Sequence, residues 1–375
     1  MNLFDADLVA RLLAELDDPR PSVIARRVPV DAYTSPARHI AEQALFRRVP
    51  QVVAHGGALA SAGETVPVTV GGVPLIVVRG NDGALRGFRN ACRHRGTRLL
   101  SGSGPECKKA FVCPYHGWTY DLEGRLIHVP HAETFAGLDQ EAMGLVGVRV
   151  WEQAGLVWVV VDPPEDGQPG IGGIGEALEQ LRLGDHVVFR RAEDVRKANW
   201  KFVIEAFLEN YHIRQLHRHS IYPFFLDGVI VNDWVGPHAR AAVARRGLAE
   251  SRDVPFEELD VRSILTANIF LFPNTIIIVH PTYVSRLTVQ PLAPDRVHWT
   301  HELMIGADDD RPSRHPHFQQ SWDLIEGQVF QQEDLWMVEE MHAGLAAGAN
   351  QYLTMGGFEE GAARFHDLLD EHLAR

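Results

Sequence analysis

Two short stretches of this chain each set a cysteine beside a histidine: Cys92-Arg-His94 and Cys113-Pro-Tyr-His116. Thiolates and neutral imidazoles are the ligands that proteins offer to zinc and to the iron of sulfide clusters. The order of the four residues bears on which. A Cys2His2 zinc finger presents two cysteines and then two histidines, whereas here each stretch supplies one of each, with eighteen residues between His94 and Cys113. Gly96, Pro114 and Gly117 permit tight turns whose backbone N–H groups can face bound sulfide.

That order matches a Rieske [2Fe-2S] centre, in which two cysteines hold one iron and two histidines hold the other. Cys107, between the loops in "GPECKKA", fits no ligand position and reads as a plain thiol. A second group of chemical residues follows in "EAFLENYHIRQLHRHS", with Glu209, His212 and His217. On an unbroken helix His212 and His219 would share a face, and His217 would point about 140° away from His212. Placing His212 and His217 on one metal therefore requires a break or π-bulge after Tyr211. Taken singly, each histidine reads as an ordinary core or surface residue. Phe330, Asp334, Met337 and Met341 then recur at helical spacing, which sets a carboxylate in an apolar stripe where only a bound cation would offset its burial. Glu333 lies off that stripe and is expected in solvent. Two histidines with one carboxylate form the facial triad of non-haem Fe(II) oxygenases.

The stretches "CRHRG" and "CPYHGWTY" resemble the two cluster loops of ring-hydroxylating oxygenases. With "NWK" at 199–201, Glu-x-x-His-x4-His at 209–217 and "QQEDLWMVEEMHAGL" at 331–345, the chain resembles the Rieske non-haem iron oxygenases over roughly residues 40 to 350. That family includes catalytic α subunits of aromatic ring-hydroxylating systems and oxygenases acting on carnitine and other quaternary amines. The resemblance implies a [2Fe-2S] cluster on Cys92, His94, Cys113 and His116, and a mononuclear Fe(II) on His212, His217 and Asp334. It also implies a helix-grip catalytic domain and a head-to-tail homotrimer, with Glu209 linking the cluster of one subunit to the iron of the next. Electrons would come from a ferredoxin and/or an NAD(P)H-dependent reductase, and O2 would hydroxylate a small organic substrate, an aromatic one in the first reading. Oxidation of a quaternary amine or betaine is the alternative, favoured by glutamate at 209 where ring-hydroxylating members commonly carry aspartate. Ala206 also departs from the family, standing in "EAF" where many members have Glu-Asn-Phe. A Rieske electron carrier, a zinc hydrolase and a helix-grip binding module are the rival readings; the first would hold two irons and the last no mononuclear metal.

These residues need a scaffold, and 45% hydrophobic residues in 375 supply core for two domains. The class expected is α+β. Residues 1–45 read as a helical arm, with "DLVARLLAEL" ended by "DDPRP". Residues 46–162 read as an antiparallel β domain with hairpins at Asp82-Gly83 and Glu123-Gly124, and 162–175 as a linker. Residues 176–375 read as the catalytic domain, one antiparallel sheet with a helix through "ANWKFVIEAFLENYHIRQLH" and a single long helix through "FQQSWDLIEGQVFQQEDLWMVEEMHAGL". A net charge of -13 argues against nucleic acid, and no apolar run reads as a signal peptide or a membrane span, so a cytoplasmic location is expected. Around the loops the sign reverses, with Arg93, Arg95, Arg98, Lys108 and Lys109 against Glu106, a surface that would attract an acidic redox partner. "IYPFFLDGVIV" is a candidate cavity wall, and Trp234, Trp299 and Tyr283 are a candidate cage for a quaternary amine.

Overall fold

Residues 2–19, 23–102, 104–164 and 170–374 are described in the structure, a computed structural model. Residues 165–169 of the expected linker, and Arg20 and Pro21 of the expected helix stop, lie outside them. The chain divides into two units, Met1–Glu42 with Gly172–Leu181 and Asp185–Arg375, and Gln43–Ile171 with Arg182–Gly184.

The smaller unit is β throughout its core. Its seven-stranded antiparallel sheet runs, in spatial order, Gln51–His55, Leu156–Val160, Gly147–Gln153, Leu85–Arg89, Val73–Arg79, Glu64–Val70 and Glu106–Cys107. The Asp82-Gly83 and Glu123-Gly124 turns both carry a left-handed glycine, which a Cβ would strain. A second, three-stranded sheet of Phe111–Val112, Thr119–Tyr120 and Leu126–His128 carries one Cys/His loop. Beneath both loops lies a core that includes Phe88, Phe111, Trp118, Tyr120 and the side chains of Cys92 and Cys113.

The larger unit is built on a seven-stranded antiparallel sheet. Phe225–Val235, His238–Arg245, Leu265–Leu271, Thr275–Val279, Val284–Ala293 and Arg296–Gly306 follow one another as a meander, and His186–Arg196 closes it beside Arg296–Gly306. Helix Trp200–Ala206 packs on both Leu335–Leu345 and Glu360–Leu373, completing the α+β helix-grip arrangement. The "NWK" motif starts the first of them. Asn199 caps it by accepting from Lys201 N at 3.1 Å, while fully buried Lys201 donates to Glu42 Oε1 and Oε2 at 2.8 and 3.0 Å. A buried ammonium is tolerable only with such a partner. At the N-terminus, Asp5 caps helix Ala6–Asp17 by accepting from Leu8 N, and Arg11 of that helix pairs with Asp233 of the sheet.

Two helices differ from expectation. The run predicted as one long helix is α-helical over His315–Trp322, a π-helix over Asp323–Asp334 and α-helical again over Leu335–Leu345. The helix through "NWKFVIEAF" ends at Ala206, and a four-residue helix, Ile213–Leu216, begins after an irregular turn. The break spans residues 207–212, beginning before Tyr211 and running past it.

Candidate active site

The two Cys/His loops are closed the same way. Cys92 N donates to Thr97 O at 2.8 Å and Gly96 N to Cys92 O at 2.9 Å; Cys113 N donates to Trp118 O at 2.8 Å and Gly117 N to Cys113 O at 3.0 Å. Both closures need a left-handed residue four places after the cysteine, and Gly96 and Gly117 take φ of +77° and +74°. The cysteines are buried, while His116 is exposed and His94 half-buried. The imidazole centroids lie 4.8 Å apart, with His94 stacked on Trp118. Cys92 Sγ lies 3.4 Å from the Tyr120 hydroxyl, which also accepts from Arg93 N. His94 Nδ1 is buried without a hydrogen-bond partner, and burial followed by repulsion from His116 lowers its pKa, which favours the neutral form of the ring. These donors fit a cluster. Cys107 is an exposed free thiol on the strand paired to Glu64, apart from the loops.

In the larger unit, two histidines five residues apart face each other from the two caps of one short helix. His212 and His217 flank the helix Ile213–Leu216, and their rings lie 5.1 Å apart, while His219 points to solvent. Asp334 arrives from the last residue of the π-helix. Its Oδ1 stands 3.0 Å from His217 Nε2 and 3.7 Å from His212 Nε2, yet it is buried and makes no hydrogen bond. Among the described residues this is the group whose three ligand atoms lie within 4.8 Å of one another. An orphaned buried carboxylate oxygen facing two imidazole nitrogens fits a cation. Burial opposes charge on His217, but Asp334 and Glu333 outweigh it and hold its pKa at about 9; burial likewise opposes charge on His212, and Glu209 and Asp334 outweigh it. The pocket attracts positive charge.

The outer nitrogens of both histidines are fixed. His212 Nδ1 donates to Glu209 Oε1, whose other oxygen accepts from the backbone N–H of Tyr211 and His212. His217 Nδ1 donates to Glu333 Oε2 at 2.7 Å, and Ser220 Oγ to the same oxygen at 2.6 Å. Each hydrogen bond sets the tautomer that leaves Nε2 free to ligate. Glu333 is therefore not solvated, contrary to the helical phase read from sequence. That phase assumed 3.6 residues per turn. In the π-helix the cavity-facing residues are Ile325, Val329, Phe330 and Asp334, recurring after four to five. Beyond Asp334 the buried positions are Leu335 and Val338, whereas Met341 is 41% exposed.

A cavity of about 70 Å³ opens on these groups. Its helix side carries Glu209, His212, His217, Phe330 and Asp334, and its strand side Phe225, Val243, Thr266, Asn268, Ile278 and His280. The "IYPFFLDGVIV" segment does supply wall residues, Ile221 and Phe225. The expected aromatic cage does not assemble: Trp234 packs on Phe270, Trp299 on Phe207 and Phe330, and Tyr283 on His280.

The catalytic domain of the ring-hydroxylating α subunit matches residues 182–375, and the Rieske [2Fe-2S] domain matches residues 49–152. The chain belongs to the Rieske non-haem iron oxygenases. It is an O2-using enzyme of that family, with a [2Fe-2S] domain and a two-histidine, one-carboxylate iron site. Relatives include the carnitine monooxygenase oxygenase subunit of Escherichia coli strain K12, 31% identical over 91% of this chain and 94% of that protein. Another is the chloroplastic choline monooxygenase of Spinacia oleracea, 25% identical over 97% of this chain and 82% of that protein. In fold the oxygenase resembles a quaternary ammonium Rieske monooxygenase crystallised with L-carnitine, with TM-score 0.78 and 24% identity over 98% of this chain and 99% of that one. Among the described residues, no helix of this Rieske oxygenase is long and apolar enough to cross a membrane.

Proposed function

We propose that this chain is the oxygenase component of a monooxygenase acting on a quaternary ammonium substrate, supplied with electrons from NAD(P)H by a separate ferredoxin or reductase. The observation that carries this reading is the 31% identity to the carnitine enzyme's oxygenase subunit along 91% of the chain. It displaces the aromatic ring as the favoured substrate. The cavity supports it, since a methylated ammonium gains from the rings of Phe207 and Phe330 and from the Glu209 carboxylate, where a neutral arene gains less.

In this reading Cys92, His94, Cys113 and His116 hold the cluster, and His212, His217 and Asp334 hold the mononuclear iron. When bound, the two centres supply electron storage and O2 activation. The chain's own residues do the rest. Glu333 and Ser220 orient His217, and Glu209 orients His212 while standing as the acid that joins neighbouring subunits of a head-to-tail homotrimer. Ile213, Ile221, Val243, Ile278, Ile325 and Val329 exclude water from the reacting carbon.

The test is oxygen uptake by the brown holoenzyme with a surrogate reductase and NADH. Quaternary amines such as carnitine, γ-butyrobetaine, glycine betaine and choline are compared with benzoate and naphthalene. A quaternary amine should consume O2 in step with product. Coupled turnover of an arene with none of the amines would overturn the reading.

A further inference from the structure

Residues two apart on a strand share a face. Val243 lines the cavity, so Arg245, the last residue of strand His238–Arg245, lies on the same face at that strand's end. It touches two wall residues directly. Nη1 donates to Thr266 Oγ1 at 3.2 Å, and Cζ lies 5.3 Å over the ring of Phe225, its cross-strand partner. The other arginines buried in this sheet are neutralised, Arg240 by Asp233 and Arg286 by Glu302 at 2.6 Å. Arg245 has no aspartate or glutamate partner among the described residues, although it is half-buried and burial draws its pKa down. A cation held in such a place without an acid is poised for one from outside.

His280 adds a second polar group. It shares a face with Ile278 and lines the cavity, and its Nε2 is buried with no hydrogen-bond partner. Burial, then the nearby His301, Arg245 and Arg262, push its pKa well below the usual value, so it stands as a neutral imidazole able to donate one hydrogen bond. Tyr283 stacks on it with centroids 4.2 Å apart and holds the ring in place.

We propose that Arg245 and His280 form an anion subsite on the strand side of the cavity, so that the substrate is a betaine whose carboxylate they receive, and not a choline-type alcohol. The inference rests on the quaternary ammonium reading and narrows it. A zwitterion then meets both signs of charge, with its ammonium toward Glu209 and Phe330 on the helix side and its carboxylate toward Arg245.

The test is anaerobic calorimetric titration of the holoenzyme with glycine betaine and γ-butyrobetaine, each against its own carboxamide, which keeps the shape and removes the charge. Wild type should bind at least one acid roughly ten- to a hundredfold tighter than its amide, the range of a charge-assisted contact. In Arg245→Gln that ratio should fall close to one. Arg245→Lys should keep part of it, since lysine keeps the charge but loses the guanidinium fork. Cluster absorbance and iron content report that each variant is folded. Equal binding of acid and amide by wild type, or a ratio that survives Arg245→Gln, overturns the subsite and leaves the amine reading standing. If no quaternary amine binds while an arene is turned over, both fall.

Discussion

At the scale of single residues, the division of labour between two adjacent acids is the main point. Asp334 faces both imidazoles with an unpartnered oxygen, and Glu333 holds the far side of His217. Asp334→Ala should therefore reduce bound iron from about three to about two per chain while the Rieske absorbance persists. Glu333→Ala should weaken the mononuclear iron without abolishing it, by roughly ten- to a hundredfold in affinity as for other outer-shell partners; equilibrium dialysis with Fe(II) or Co(II) measures it. Glu209→Gln should keep both metals and lower turnover at least a hundredfold, about 2.7 kcal/mol of barrier, and turnover near wild type would remove it from the route. The metal-facing residues were legible because ligand type and order are written in the sequence. The role of Glu333 was not, because it depends on a helical phase that no residue type encodes.

At the scale of elements, a clamp of hydrogen bonds holds the π-helix against the sheet. Ser285 Oγ, His301 and Glu326 form a chain of hydrogen bonds, 2.9 Å to His301 Nε2 and 2.7 Å from its Nδ1 to Glu326. The order of groups is that of a hydrolase triad, but Ser285 and His301 are fully buried, so it can meet no substrate. What it does is tie strands Val284–Ala293 and Arg296–Gly306 to the middle of the π-helix, assisted by Gln331, which donates to Glu326 at 2.6 Å. Glu326→Leu would leave the fully buried His301 Nδ1 without an acceptor, costing about 1–3 kcal/mol, and would also strip the part-buried Gln331 amide of its partner. It should lower the melting temperature of the larger unit and empty the mononuclear site while the cluster spectrum stays intact. Loss of the cluster with retention of the iron would refute the clamp. Strands and hairpins in both units could be read from alternation and Asp-Gly or Glu-Gly turns. The widened helix could not, because "DLIEGQVFQQED" has ordinary helical composition and no residue type marks a π-helix.

At the scale of the whole molecule, several histidines are buried as neutral rings, and acid should find them. His238 accepts from Phe272 N at 3.1 Å, and burial, with a smaller push from His372, lowers its pKa from 6.5 to about 4. The unfolded chain thus binds this proton more readily than the folded one between pH 6.5 and about 4, so stability falls as pH drops through that window and levels below it. From pH 7 to 5 this group alone accounts for at most about 2 kcal/mol. Urea unfolding at both values should show a shallower loss for His238→Gln, whose amide oxygen can still accept from Phe272. An equally steep loss would place the sensitivity elsewhere.

The meander of strands has a consequence for how such an enzyme changes over evolutionary time. Val243, Thr266, Asn268 and Ile278 face the cavity from three neighbouring strands, while the metal-facing residues come from helical segments. Alternation turns the sequence neighbours of each wall residue to the opposite side of the sheet. One nucleotide change can thus reshape the chamber without moving the helices that carry His212, His217 and Asp334. Diet can drift while respiration stays fixed: new compounds are tried against an unaltered oxidising centre, one wall position at a time.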